Sequence, residues 1–273
     1  MVCATTTYKK KKETPLSVHL VIPDPHADYR HDNSRADLLA NLIIDLKPDT
    51  VINMGDQWDF PSLSSYDKGL RSFQGKTYAA DLDAGLEFSD RLWGPVKRRK
   101  KRLPRRTFLE GNHERRQERV LDLSPELQGT VDFKNLQLEE DYDDIIRYTG
   151  KSTPGTIEID GVTYAHFLTS GVKGLPLGGE HHAYSLIAKQ HVSCTVAHSH
   201  LVDYCVRTDP HGRRIMGLVS GCFMDYTPDW SGEIQKLWWQ GVVICRNVEN
   251  GQYSPQFVTI DELRKEYGGV RIE

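Results

Sequence analysis

The sequence predicts an α/β fold whose first half builds a parallel sheet and whose second half adds strands of mixed or antiparallel type. Two observations carry that reading. Apolar runs alternate between strand-like and helix-like spacing up to residue 110, and short β-rich runs dominate after residue 155. A strand, helix, strand, helix, strand order favours parallel pairing with helices covering the sheet.

"SVHLVI" (17–22) is the first strand, ended by the turn "PDPH". "RADLLANLIIDL" (35–46) sets Leu38, Leu39, Leu42, Ile43 and Leu46 on one helical face, with Ser34 as N-cap. "TVINM" (50–54) is a second buried strand and runs into "GDQWD". A polar loop leads to a helix over 78–93. "RTFLE" (106–110) is the third strand and ends at "GNHE". After the acidic segment "LEEDYDDI" (138–145), residues 155–167 read as a hairpin around Asp160-Gly161. A short helix over 185–191 precedes "CTVAHSH" (194–200), a strand running into histidines. "YCVRT", "RIMGLVS" and a hairpin turning at Asn250-Gly251 complete the second sheet. Residues 1–15 read as a basic, disordered tail, and with no linker or repeat evident, 16–273 read as one domain.

Three strand ends carry metal-binding residue types: Asp24 and His26, then Asp56, then Asn112 and His113. The carboxyl ends of parallel strands face a common crevice, so these residues converge. The second half adds His166, His198 and His200. In an extended segment, residues two apart share a side, so both rings of H-S-H reach one centre. Carboxylate, imidazole and amide oxygen suit a divalent ion such as Mn²⁺, Fe or Zn²⁺. Seven such groups exceed one tetrahedral site and match two adjacent metals sharing a carboxylate.

Taken in order, "DPH", "GDQWD", "GNHE", a lone histidine and "HSH" resemble the signature of the calcineurin-like metallophosphoesterases. The resemblance spans residues 24–200, and "SGCFMDYTPDWSGEIQKLWWQGVVI" is similar to small bacterial and phage members. It implies a four-layer αββα sandwich of two mixed sheets flanked by helices. It places Asp24, His26, Asp56 and His200 on one metal, and Asp56, Asn112, His166 and His198 on a second. His113 is implied to stabilise or protonate the leaving oxygen, with Asp59 orienting its ring and keeping it protonated. The implied chemistry is phosphoester hydrolysis by in-line attack of a metal-bridging hydroxide, with Mn²⁺ as first choice and Fe, Zn²⁺ or Ni²⁺ as alternatives. Ala197 departs from the pattern, which has glycine before the first histidine of "HSH". If that position needs positive φ, the methyl costs about 1 kcal/mol.

The substrate is less sharply drawn. Ser/Thr protein phosphatases of this pattern carry Arg-Gly after the second aspartate; here Asp59 is followed by Phe60-Pro61. In "KRRKKRLPRR" (97–106) eight of ten residues are cationic. They form either a helix end suited to the helix dipole or a track for a phosphate backbone leading to the metals. Arg115 and Arg116 adjoin His113 and are candidate substrate contacts, as is His182 beside Gly178-Gly179. Trp238 and Trp239 suit base stacking or ordinary sheet packing. A nuclease or nucleotide phosphodiesterase is the leading expectation. A phosphomonoesterase is the rival, and a non-catalytic nucleic-acid-binding module comes from another class. The net charge of -3 excludes nothing, and five cysteines without a C-x-x-C pair suit a reducing cytoplasm. No run approaches the roughly 20 apolar residues of a membrane span.

Overall fold

A computed structural model of the chain describes residues 16–269 apart from 67, 100, 172–173 and 229–230. The basic tail expected over 1–15 lies outside the described residues. β1 (Ser17–Ile22), α1 (Arg35–Leu46), β2 (Thr50–Asn53), α2 (Tyr78–Arg99) and β3 (Arg105–Leu109) follow in the anticipated order. α2 continues past the expected end at residue 93, through Pro95. Proline removes one helical hydrogen bond, but Pro95 and Val96 are buried, so packing holds the last turn in place. Ser34 stands at the start of α1, yet its side chain caps nothing. Asp32 accepts the Ser34 N–H instead, at 2.8 Å.

α3 (Arg116–Leu123) and β4 (Asp144–Ile146) follow, neither of them anticipated. The hairpin of β5 (Ile157–Ile159) and β6 (Val162–Tyr164) turns on Asp160 (φ 50) and Gly161 (φ 82), the left-handed pair that a two-residue turn requires. β7 (Thr169–Ser170) and β8 (Leu175–Pro176) form a small ribbon before α4 (His182–Gln190), which starts three residues earlier than expected. The chain closes with β9 (Cys194–Val196), β10 (Val202–Thr208), β11 (Arg214–Ser220), β12 (Gly241–Glu249), β13 (Gln252–Thr259) and α5 (Ile260–Tyr267).

One sheet has the order β13-β12-β1-β2-β3-β4, the other β10-β11-β9-β6-β5. The final hairpin therefore belongs to the first sheet, not the second as the sequence suggested. β12 pairs antiparallel with β1, an association between opposite ends of the chain that no local pattern encodes. Both sheets are mixed. β1 to β4 run parallel, as do β6, β9 and β11.

Alternation along the strands sorts side chains into three buried layers. Leu20, Ile22, Val51, Phe108, Val242 and Ile244 pack against Leu39, Ile43, Phe88, Trp93 and Leu263 of the helices. Their neighbours Val21, Ile52, Leu109 and Val243 face the other way, onto Val162, Tyr164 and Leu218 of the second sheet. Val196 and Val219 meet Ala183, Leu186 and Ile187 of α4. Each fully buried aliphatic or aromatic side chain is worth about 1.5–3 kcal/mol. The architecture is thus helix, sheet, sheet, helix, the expected four-layer αββα sandwich. Parallel strands of both sheets end at one edge and deliver their following loops there. Among the described residues, no helix is long and apolar enough to cross a membrane.

Candidate metal centre

The loops that follow β1, β2 and β9 hold an unusual backbone. Asp24 (φ 37), His26 (φ 46), Asp56 (φ 51), His198 (φ 66) and His200 (φ 60) all lie in the left-handed region. An L-residue there costs on the order of 1–2 kcal/mol, and such strain gathers at functional sites. The two histidines of H-S-H are therefore not in an extended segment, and the expectation that they share one side is overturned. β9 ends at Val196, before either of them. Ala197 has no positive φ, and its methyl packs in the core between the sheets, so the departure from glycine is unstrained.

Glycines draw the β2 and β3 loops together. A Cβ on Gly111 would sit 2.1 Å from Asp56 Oδ1, and one on Gly55 would sit 2.5 Å from the Leu109 carbonyl. That closeness lets the His113 backbone N–H donate to Asp56 Oδ1 at 2.8 Å.

All seven candidate ligands meet at this edge. Asp24, His26 and His200 form one set of close donors, Asp56, His166 and His198 another, and His26 also groups with Asp59 and His113 in a third. In the first, His26 Nε2 and His200 Nε2 are 3.1 Å apart and His200 Nε2 is 3.4 Å from Asp24 Oδ2. In the second, His166 Nε2 lies 2.9 Å from Asn112 Oδ1 and 3.3 Å from Asp56 Oδ2. Asp56 Oδ2 is also 3.9 Å from His26 Nε2, which puts this carboxylate between the two sets. Asp24 Oδ1 is buried and accepts no hydrogen bond. An anionic oxygen so enclosed is costly unless a cation compensates it. Burial pushes the Asp24 carboxyl up to about 7, against the pull of His166. Burial would depress His166, but Asp56 beside it raises that ring to about 9. His198 is forced down to about 3 by burial and by the His166 charge. Carboxylates, imidazoles and an amide oxygen crowded into a buried pocket fit divalent metals of hard-to-borderline type.

Asp59 is shared between two rings, which the sequence did not indicate. Its Oδ1 lies 2.9 Å from His26 Nδ1 and 3.2 Å from His113 Nδ1, and its backbone oxygen is 2.7 Å from His113 Nδ1. A carboxylate on the far nitrogen fixes the tautomer of a metal-binding histidine. Asp59 and Asp56 favour a proton on His113, as expected, but two other effects oppose them. Burial and the Arg116 guanidinium lower its pKa despite Asp56 and Asp59. Arg116 Nη2 is 3.0 Å from His113 Nε2, while Nη1 donates to the carbonyls of Asp59 (2.8 Å) and Phe60 (3.1 Å).

The other candidates divide. Arg115 turns away, donating to the Gly150 carbonyl at 3.0 Å with its guanidinium over the Tyr148 ring. His182 is buried against the histidine loop, its Nδ1 3.3 Å from Ser199 Oγ. Trp238 stands edge-on to His200, centroids 4.4 Å apart, whereas Trp239 packs against Phe257. The described residues of the basic run 97–106 do not lead to the centre. Lys97–Arg99 are the last turn of α2, and Arg105 and Arg106 begin β3, whose opposite end supplies Asn112. Lys97, Arg106 and Arg105 are paired with Asp141, Asp143 and Asp144 at 2.6–2.7 Å.

Two supporting residues were missed. Glu114, wholly buried, accepts the backbone N–H groups of Asp56 (2.9 Å), Trp58 (3.0 Å) and Gly111 (2.9 Å). It ties the two ligand loops together, and its position as the last letter of "GNHE" was the available signal. Arg35, also buried, donates to the carbonyls of Phe223 (3.1 Å) and Pro25 (2.8 Å), while Tyr226 bonds that of His26 (2.7 Å). Nothing in the helix pattern marked Arg35 for that task. We expect Glu114→Ala to cost about 2–4 kcal/mol by leaving three buried donors unpaired. A thermal melt within about 1 °C of wild type would contradict the role of Glu114.

No family model and no curated protein matches the chain. Among solved structures, it is similar to a protein described as a novel archaeal phosphodiesterase, with TM-score 0.38 and 12% identity over 88% of this chain and 99% of that one. It is also similar to the protein TT1561 of Thermus thermophilus, with TM-score 0.31 and 13% identity over 89% of this chain and 99% of that one. The site is accordingly read from its own residues.

Proposed function

We propose that the chain is a phosphoester hydrolase of calcineurin-like type that works with two divalent metal ions, acting on diesters before monoesters. The observation that carries this reading is the Asp56 carboxylate, placed between two sets of buried donors. Asp24, His26, Asp56 and His200 would hold one ion; Asp56, Asn112, His166 and His198 would hold the other. When bound, the ions supply a nucleophile from water at neutral pH and offset charge building on the phosphoryl oxygens. The chain's own groups do the rest. Asp59 fixes the rings of His26 and His113 through their Nδ1 atoms. His113 stands at the leaving oxygen, with the Arg116 guanidinium beside its Nε2 to spread the charge.

Metal-stripped protein assayed with and without Mn²⁺ on bis-p-nitrophenyl phosphate and p-nitrophenyl phosphate tests the proposal, with Fe²⁺, Zn²⁺ and Ni²⁺ in parallel. Turnover that needs metal and favours the diester is the expected result. The reverse preference makes the protein a phosphomonoesterase. Metal bound without turnover of either ester, together with salt-sensitive binding of nucleic acid, makes it a binding module.

A further inference from the structure

A cavity of about 560 Å³ adjoins the proposed centre on its His113 side. Its size suits one nucleotide-sized group. Asn112, His113 and Arg116 line it, and so do Arg30 and the loop between β2 and α2, through Ser64, Tyr66, Ser72 and Lys76. Arg30 is held by a fork onto buried Asp28, with Nε at 3.0 and 3.1 Å from its two oxygens. A guanidinium so fixed loses little entropy in binding an anion. Arg116 is equally constrained by the two carbonyls it serves. Tyr66, 84% exposed, also lines the cavity.

Asp59 also lines the cavity, its Oδ1 taken up by His26 and His113. Three cations, three hydroxyls and an aromatic side chain outweigh that one carboxylate and describe a guest that is both anionic and ring-bearing. Since His113 stands on the leaving-group side in the proposed mechanism, that guest is the leaving group. We infer that the cavity takes a phosphorylated nucleoside as leaving group, so that the substrate carries a second phosphate beyond the scissile one. The inference rests on the reading given under Proposed function. In the step, water adds to phosphorus and the bond from phosphorus to the leaving oxygen breaks. That oxygen takes a proton and departs as the hydroxyl of a nucleoside phosphate, or as the phosphate oxygen of a nucleotide where the bond is an anhydride. The other product is a phosphomonoester.

The test compares kcat/KM of the Mn²⁺-loaded protein on thymidylyl-thymidine, on its 5′- and 3′-phosphorylated forms, and on diadenosine diphosphate. One phosphorylated substrate should exceed plain thymidylyl-thymidine by about tenfold or more, the worth of a charge-assisted hydrogen bond. A phosphorylated dinucleotide as the favoured substrate points to a nucleic-acid strand, and diadenosine diphosphate to a nucleotide anhydride. Lys76→Ala should bring that ratio to within about twofold of unity, and Lys76→Arg should retain it. A ratio near one in the wild type, or one that survives Lys76→Ala, overturns the inference. If bis-p-nitrophenyl phosphate is hydrolysed while the ratio is flat, only this inference falls. If that ester is untouched as well, the phosphoesterase reading falls with it.

Discussion

Asp56→Asn is expected to lower metal-dependent turnover of bis-p-nitrophenyl phosphate by about 10³-fold or more and to reduce bound metal below two equivalents per chain. The substitution is isosteric, and an amide oxygen can still accept the His113 N–H now bonded at 2.8 Å. The loop geometry should therefore survive, and the circular dichroism spectrum with it. What is lost is a negative charge placed 3.3 Å from His166 Nε2 and 3.9 Å from His26 Nε2. A neutral amide has one acceptor oxygen and two N–H donors facing positions meant for cations, so it cannot serve two ions at once. Metal analysis separates the possible causes. Two ions retained with lost turnover would make Asp56 a catalytic group rather than a shared ligand. Wild-type turnover would remove the bridging assignment altogether.

The candidate ligands were legible because each is a short polar motif at the end of an apolar run. Asp24, His26, Asp56, Asn112, His166, His198 and His200 could thus be named before any contact was known. The loop backbone was not legible. Left-handed φ at His198 and His200 leaves no mark in the sequence, and reasoning from an extended segment put both rings on one side. The resemblance divided them between two ions, and the structure places them in separate sets. Long-range pairing was equally hidden. β12 joins β1 across more than two hundred residues, through registers such as Leu20 with Ile244. The basic run shows the same limit. Its composition was plain, but its acidic partners Asp141, Asp143 and Asp144 lie some forty residues on. α5 was a signal overlooked rather than absent. Thr259 and Glu262 form a capping box at its start, with the Glu262 N–H 3.2 Å from Thr259 Oγ1 and the Thr259 N–H 2.7 Å from Glu262 Oε2.

His113→Ala should separate proton donation from charge stabilisation, because the two depend differently on the leaving group. A p-nitrophenolate leaves readily without a proton, whereas a nucleoside alkoxide does not. If His113 delivers a proton, its removal costs about 10²–10⁴-fold on thymidylyl-thymidine and less than about tenfold on bis-p-nitrophenyl phosphate. If it only stabilises charge, the losses should be similar on both. The structure makes this contrast worth measuring. Burial and Arg116 lower the His113 pKa, and its Nε2 faces the Arg116 guanidinium at 3.0 Å, so both oppose a proton on that nitrogen. Either the ring acquires a proton when substrate adds its negative charge, or the alkoxide's charge is offset by hydrogen bonds that include the permanently charged Arg116. Arg116→Lys distinguishes these routes. It keeps the charge but lacks the planar fork that serves Asp59, Phe60 and His113 together. We expect its loss to track that of His113→Ala on the dinucleotide and to be smaller in size. Wild-type rates for His113→Ala on both substrates would place the leaving-group side elsewhere and remove the role assigned to this histidine.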